Sequence, residues 1–168
     1  MNIDFSSLST EKAIAMAVKA ELEAEEVYLR LEKTVKNFIL KDKVRFLSEE
    51  EKRHERLLRE LFKKLFPEKE LVLPERSITP RVSLTLQENP SVIDLLELAM
   101  DAEKTSEEFY DTLSQNVEER GLQEILQYLA SIEHGHYFLL KGEYDLCLRD
   151  EQYYAREEFQ YDMVHIGP

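Results

Sequence analysis

The chain is poor in the residues that interrupt regular structure or tie it together covalently: its 168 residues include four Gly, five Pro, one Cys and no Trp. So few Gly and Pro leave room for long unbroken elements. The lone Cys147 excludes an internal disulfide and any metal site made only of thiolates, and reads as a small buried apolar filler. Positive charge is scarce as well. With 22 Lys and Arg against 35 Asp and Glu, the net charge is −13 and no basic run occurs, which excludes a nucleic-acid backbone as partner. No apolar run approaches the ~18 residues of a membrane span. The opening MNIDFSSLSTEK has neither the basic nor the apolar region of a signal peptide, so a cytoplasmic protein with no membrane partner is expected.

What the chain does have is helical periodicity. Hydrophobic residues at 43% and charged residues at 34% fit one folded domain with a single core. Ser9 or Thr10 can cap a first helix whose apolar period runs from about Ile14 to about Val35. After a polar turn near 37–42, a second stripe through Val44, Leu47, Leu58, Leu61 and Leu65 ends at Pro67. Residues 67–90 hold four of the five prolines and no helical period. Ser91 with Asp94 forms a capping-box variant that starts a third helix, which runs to about Val117. Gly121 breaks the pattern, and a fourth helix covers about 122–148. The reading is all-α: two antiparallel helix pairs joined by a long crossover, with residues 1–148 as the bundle. The extension at 149–168, rich in Tyr and Phe, is expected to form one short helix packed on the bundle or on a partner. A connection of ~24 residues reaches up to about 80 Å, enough to travel the length of a ~25-residue helix of about 38 Å.

Shifting the sequence by 82 positions superposes its halves. Glu21 falls on Glu103, Tyr28 on Tyr110, Glu51 on Glu133 and His54 on His136, and apolar positions such as Ala17, Leu31 and Leu47 fall on Ala99, Leu113 and Leu129. With 27 Glu and four His in the chain, one Glu-x-x-His is expected by accident roughly 0.6 times and proves nothing. Two copies, each with a Glu 30 positions upstream and a Tyr seven beyond that Glu, are a different matter. The coincidence of spacings carries the signal.

The chemistry of the spacing follows from helix geometry. Residues i and i+3 lie about 60° apart on a helix, so Glu51 with His54, and Glu133 with His136, can each grip one metal ion from one face. Glu21 and Glu103 come from the partner helices. Four carboxylates at one depth of a core repel one another and must take up protons unless cations sit among them, and two divalent ions are the natural neutraliser. Oxygen ligands with two imidazoles suit iron first, then manganese, with zinc acceptable. Tyr28 and Tyr110 are placed to donate hydrogen bonds to the ligands or simply to pack. Glu25 and Glu107 lie near the same face. His134 falls on another face and His165 in the tail, so both read as surface residues.

A Glu from each of two helices plus Glu-x-x-His from each of the other two is the pattern of ferritin-like di-iron bundles. The segments AELEAEEVYLRLEK and LSEEEKRHERLL resemble the rubrerythrin branch, and the resemblance covers about residues 10–148. It implies that Glu51 and Glu133 bridge two irons, that Glu21 and Glu103 bind terminally, and that His54 and His136 give one nitrogen to each ion. It also implies a di-iron oxidoreductase that reduces hydrogen peroxide or dioxygen, in the manner of an oxidative-stress defence. Rubrerythrins proper carry a rubredoxin-like domain with paired Cys-x-x-Cys ligands, which a chain with Cys147 alone cannot build, so electrons are expected from an external donor such as a rubredoxin. The family's extra carboxylate three residues after the third-helix ligand is Ser106 here. Two other readings stand beside this one: a ferroxidase or iron-handling protein, and a non-catalytic metal-stabilised helical interaction protein. The aromatic tail makes a homodimer reasonable.

Overall fold

The computed structural model describes residues 9–75 and 91–149, so the expected C-terminal helix lies outside the described residues. Four helices are formed: α1 (Thr10–Thr34), α2 (Phe38–Leu65), α3 (Val92–Asn116) and α4 (Arg120–Arg149). Each start has a local cause. Ser9 accepts a hydrogen bond from the Lys12 amide, and Ser91 and Asp94 form a reciprocal capping box, as the sequence predicts.

Two boundaries differ from expectation. The turn read at 37–42 is shorter, because Asn37 accepts from the amides of Ile39 and Leu40 and so starts α2 at Phe38. Gly121 does not precede the fourth helix but sits in its first turn, where Glu119 accepts hydrogen bonds from the Gly121 and Leu122 amides. A glycine costs little in a first turn whose amides are satisfied by a side chain.

Cross-helix pairs fix the directions. Glu32 with Arg45 and Glu25 with Lys52 make α1 and α2 antiparallel, and Glu107 with His134 and Glu97 with Tyr144 do the same for α3 and α4. Tyr28 bonded to Glu103 and Tyr110 to Glu21 make α1 antiparallel to α3, and Lys43 with Glu143 and His54 beside Glu133 make α2 antiparallel to α4. Helices α2 and α3 therefore run the same way. The chain leaves α2 at one end of the bundle and must begin α3 at the other, which accounts for the long proline-rich connection.

The core is divided. One apolar cluster gathers Ile14, Val18, Leu58, Leu113, Leu126 and Leu129. A second gathers Leu31, Val44, Leu47, Leu95, Leu96 and Leu140, with Cys147 beside them as a buried filler whose thiol burial pushes up to about 11. Between the two clusters lies a polar belt. No helix among the described residues is long and apolar enough to cross a membrane.

Candidate metal centre

The belt is made of the six residues that the repeat singles out. Glu21 projects from α1, Glu51 and His54 from α2, Glu103 from α3, and Glu133 and His136 from α4, all at most 5% exposed. They fall into two overlapping quartets. Glu21, Glu51, His54 and Glu133 bring one ligand atom each within 4.8 Å of one another, and so do Glu51, Glu103, Glu133 and His136. Glu51 and Glu133 belong to both.

The imidazoles lie between the carboxylates. His54 Nδ1 is 3.1 Å from Glu133 and 3.4 Å from both Glu21 and Glu51. His136 Nδ1 is 3.3 Å from Glu51 and 3.4 Å from Glu103 and Glu133. The two rings stack at 5.7 Å with 16° between their planes.

These approaches are not made as hydrogen bonds. Among the described residues six buried side-chain polar atoms lack a hydrogen-bond partner, and five of them are here: Glu51 Oε1, His54 Nδ1, Glu103 Oε2, Glu133 Oε1 and His136 Nδ1. An orphaned buried polar atom costs about 1–3 kcal/mol, more when charged, so five converging on one space need an explanation. A donor set of carboxylate oxygens and imidazole nitrogens aimed at a shared volume fits a di-metal site.

Electrostatics agree with that reading. Burial, then the charges of Glu133 and Glu51, raise the Glu21 carboxyl well above its ordinary value; burial and Glu133 do the same for Glu103. Burial alone would lower the His54 imidazolium, but Glu133, Glu21 and Glu51 outweigh it and push it up to about 12. His136 moves the same way: burial opposes, and Glu103, Glu133 and Glu51 prevail. Burial would raise Glu133, yet the close approach of polar atoms of Glu103, His136 and His54 holds it well below the usual carboxylate range. Without cations, the cluster must hold protons.

The tyrosines cross between the halves. Tyr28 donates to Glu103, and Tyr110 donates to Glu21, so each hairpin orients the outer glutamate of the other. Spacing along one helix could not reveal this crossing. A hydrogen bond to a carboxylate is worth about 1.5–3 kcal/mol, so Tyr28→Phe or Tyr110→Phe should lower the melting temperature by several degrees. Ser48→Ala is the matched control. Ser48 is buried one turn before Glu51 with an unpartnered hydroxyl, whose removal is neutral or stabilising. Equal losses in the three variants, measured by calorimetry, would remove the orienting role.

At the rim, Glu25 pairs with Lys52 at 3.2 Å and Glu107 with His134 at 2.9 Å, the same two positions in each half. His134 is 56% exposed in its side chain, a surface residue as its helical face predicts, but it is not idle. Sequence reasoning missed Lys52, Ser48 and the buried Glu143, which pairs with Lys43 across α2 and α4. A lysine next to Glu51 and a serine three residues before it were the available signals for the first two.

A bundle of two antiparallel hairpins around a buried belt of four Glu and two His defines the protein as a ferritin-like carboxylate bundle. The comparisons then narrow it. The rubrerythrin family model matches residues 12–144, and the chain belongs to the rubrerythrin family. It is similar to a solved structure from Pyrococcus furiosus described only as a hypothetical protein, at 38% identity over 87% of this chain and 94% of that one, with a TM-score of 0.76. An uncharacterized conserved protein from Magnetospirillum magnetotacticum MS-1 shares the fold at 18% identity, over 82% of this chain and 95% of that one, with a TM-score of 0.62. No functionally curated protein matches the chain.

Proposed function

We propose that the protein is a di-iron oxidoreductase that reduces hydrogen peroxide or dioxygen, with electrons supplied by an external carrier. The observation that carries the reading is the sharing of Glu51 and Glu133 by both quartets, because two carboxylates common to two ligand sets are what holds a pair of ions side by side. Glu21 and His54 would complete one ion's protein ligands, and Glu103 and His136 the other's. Iron bound there would supply two one-electron changes, matching the two electrons that turn one peroxide into two waters.

The chain's own residues do the rest. Tyr28 and Tyr110 fix the outer glutamates, so the ligand oxygens are held before any ion arrives. The two apolar clusters close the belt from both ends and keep bulk water from the reacting groups. An ion held by one atom from each of a quartet's four side chains would keep coordination positions for a small substrate.

The test is anaerobic. Protein loaded with ferrous iron and mixed with hydrogen peroxide should lose two ferrous ions per peroxide within seconds, giving two ferric ions and two waters once two protons are taken up. Iron that remains ferrous for minutes under excess peroxide and under air would overturn the reading. Rapid oxidation that continues through many added ferrous ions per chain, with mineral formation, would favour iron handling instead.

A further inference from the structure

We propose that the outer face of α2, directly behind His54, is the docking surface for an acidic electron-carrier protein; this rests on the oxidoreductase reading above. Charge is distributed unevenly in this molecule. Helix α2 carries nine of the 22 Lys and Arg against six Asp and Glu, a formal +3 in a chain of −13, whereas α3 carries one Lys against seven acids. An acidic protein repels acidic partners everywhere except where its cations collect.

The cations of α2 collect on one side. Arg45, Lys52, Arg56 and Lys63 are all exposed, and at 100° per residue they fall within about 40° of one another, roughly 150° from the buried stripe of Glu51 and His54. At the middle of that side lies an open recess of about 460 Å³ lined by Glu49, Lys52, Arg53, Glu55 and Arg56. Some of this charge is already answered: Arg45 pairs with Glu32, Lys52 with Glu25, Arg53 with Glu50, and Glu55 with Arg59. Arg56 donates to the Lys52 carbonyl and, like Lys63, meets no carboxylate at ion-pair distance among the described residues. Free cations beside a recess are the parts a docked carboxylate-rich surface would engage.

Position gives the patch its use. Lys52, Arg53 and Arg56 lie within two residues of His54, whose ring belongs to the belt. A carrier seated there is separated from the belt by one helix, about 10 Å across. Each visit passes one electron, the carrier being oxidised by one, and two visits supply the two electrons that one peroxide consumes.

Binding can be read without turnover. Zinc-loaded protein, which is redox-silent, is titrated with an oxidised acidic rubredoxin as the probe, and the dissociation constant is followed against salt. We expect binding that weakens at least about tenfold from low to moderate ionic strength. The double variant Arg53→Glu/Arg56→Glu should weaken it by about thirtyfold or more, and Arg56→Gln by a smaller factor, each checked for folding by circular dichroism. Reversal of a remote cation, Arg120→Glu at the start of α4, should stay within about twofold. Binding that ignores salt, or that the double variant leaves intact, overturns the proposal. So does failure to bind the probe when the wild-type chain self-associates through the same arginines, which would assign the face to a second copy. Loss of peroxide reactivity in the iron-loaded protein would instead strike the oxidoreductase reading, because this titration contains no redox step.

Discussion

Stripping divalent metal from the protein should lower its melting temperature by on the order of 10 °C near pH 8, and restoring ferrous or zinc ion should recover it. An ion at about a thousand times its dissociation constant stabilises a fold by about 4 kcal/mol, and a domain of this size shifts by about 2–4 °C per kcal/mol. The size of the effect should depend on pH in a defined direction. The Glu21 and Glu103 carboxyls are raised in the metal-free fold, so their contribution is complete below the ordinary carboxyl value of 4.5 and is lost as pH climbs through the raised values. His54, raised from 6.5 to about 12, contributes fully below 6.5 and is lost progressively above it. Glu133, held low, contributes above 4.5 and loses its share as pH falls.

The metal-free protein is therefore most stable in mildly acid solution and weakens toward alkaline pH. Bound ions displace the same protons, so the gap between loaded and stripped protein should widen from about pH 5.5 to about pH 8. Paired thermal melts across that range, with metal removal verified by elemental analysis, make the check. A gap that stays constant, or narrows with rising pH, would contradict the assignment of these six side chains as ligands.

The second large effect separates the shared glutamates from the outer ones. Glu51 stands in both quartets and Glu21 in one. Glu51→Gln should cost affinity at both ions, so that elemental analysis after buffer exchange finds fewer than one ion per chain. Glu21→Gln should leave about one. Glu21→Gln should also change sign with loading. In the stripped protein near pH 8 the amide replaces a carboxyl that burial and its neighbours force to hold a proton, so the melting temperature should rise by a few degrees. In the loaded protein it should fall. Equal metal counts in the two variants would place the ions elsewhere.

Much of the bundle was legible because burial writes a 3.6-residue period into helices, and because caps such as Ser91 with Asp94 are local. The start of α2 was not: residues 37–42 read as a turn because Asn37, Lys41 and Asp42 frame them, whereas Phe38, Ile39 and Leu40 already belong to the helix that the Asn37 side chain opens by accepting from two amides. Gly121 misled for a related reason: the capping carboxylate of Glu119 outweighs the glycine beside it. The six belt residues were legible only through repetition, each motif being ordinary alone. Which tyrosine meets which glutamate was hidden, because spacing on one helix says nothing of the helix opposite. Glu143 was hidden by the repeat itself. Its counterpart is Leu61, so the buried carboxylate and its pairing with Lys43 break the correspondence between the halves.

That correspondence is an exchange as much as a likeness. The first quartet takes three members from one hairpin and Glu133 from the other; the second takes three members from the other and Glu51 from the first. Each half thus lends a single carboxylate across the divide, and neither can enclose an ion unaided. Occupancy at either position presupposes that the two halves have met, so whatever fills the belt also clasps the molecule shut.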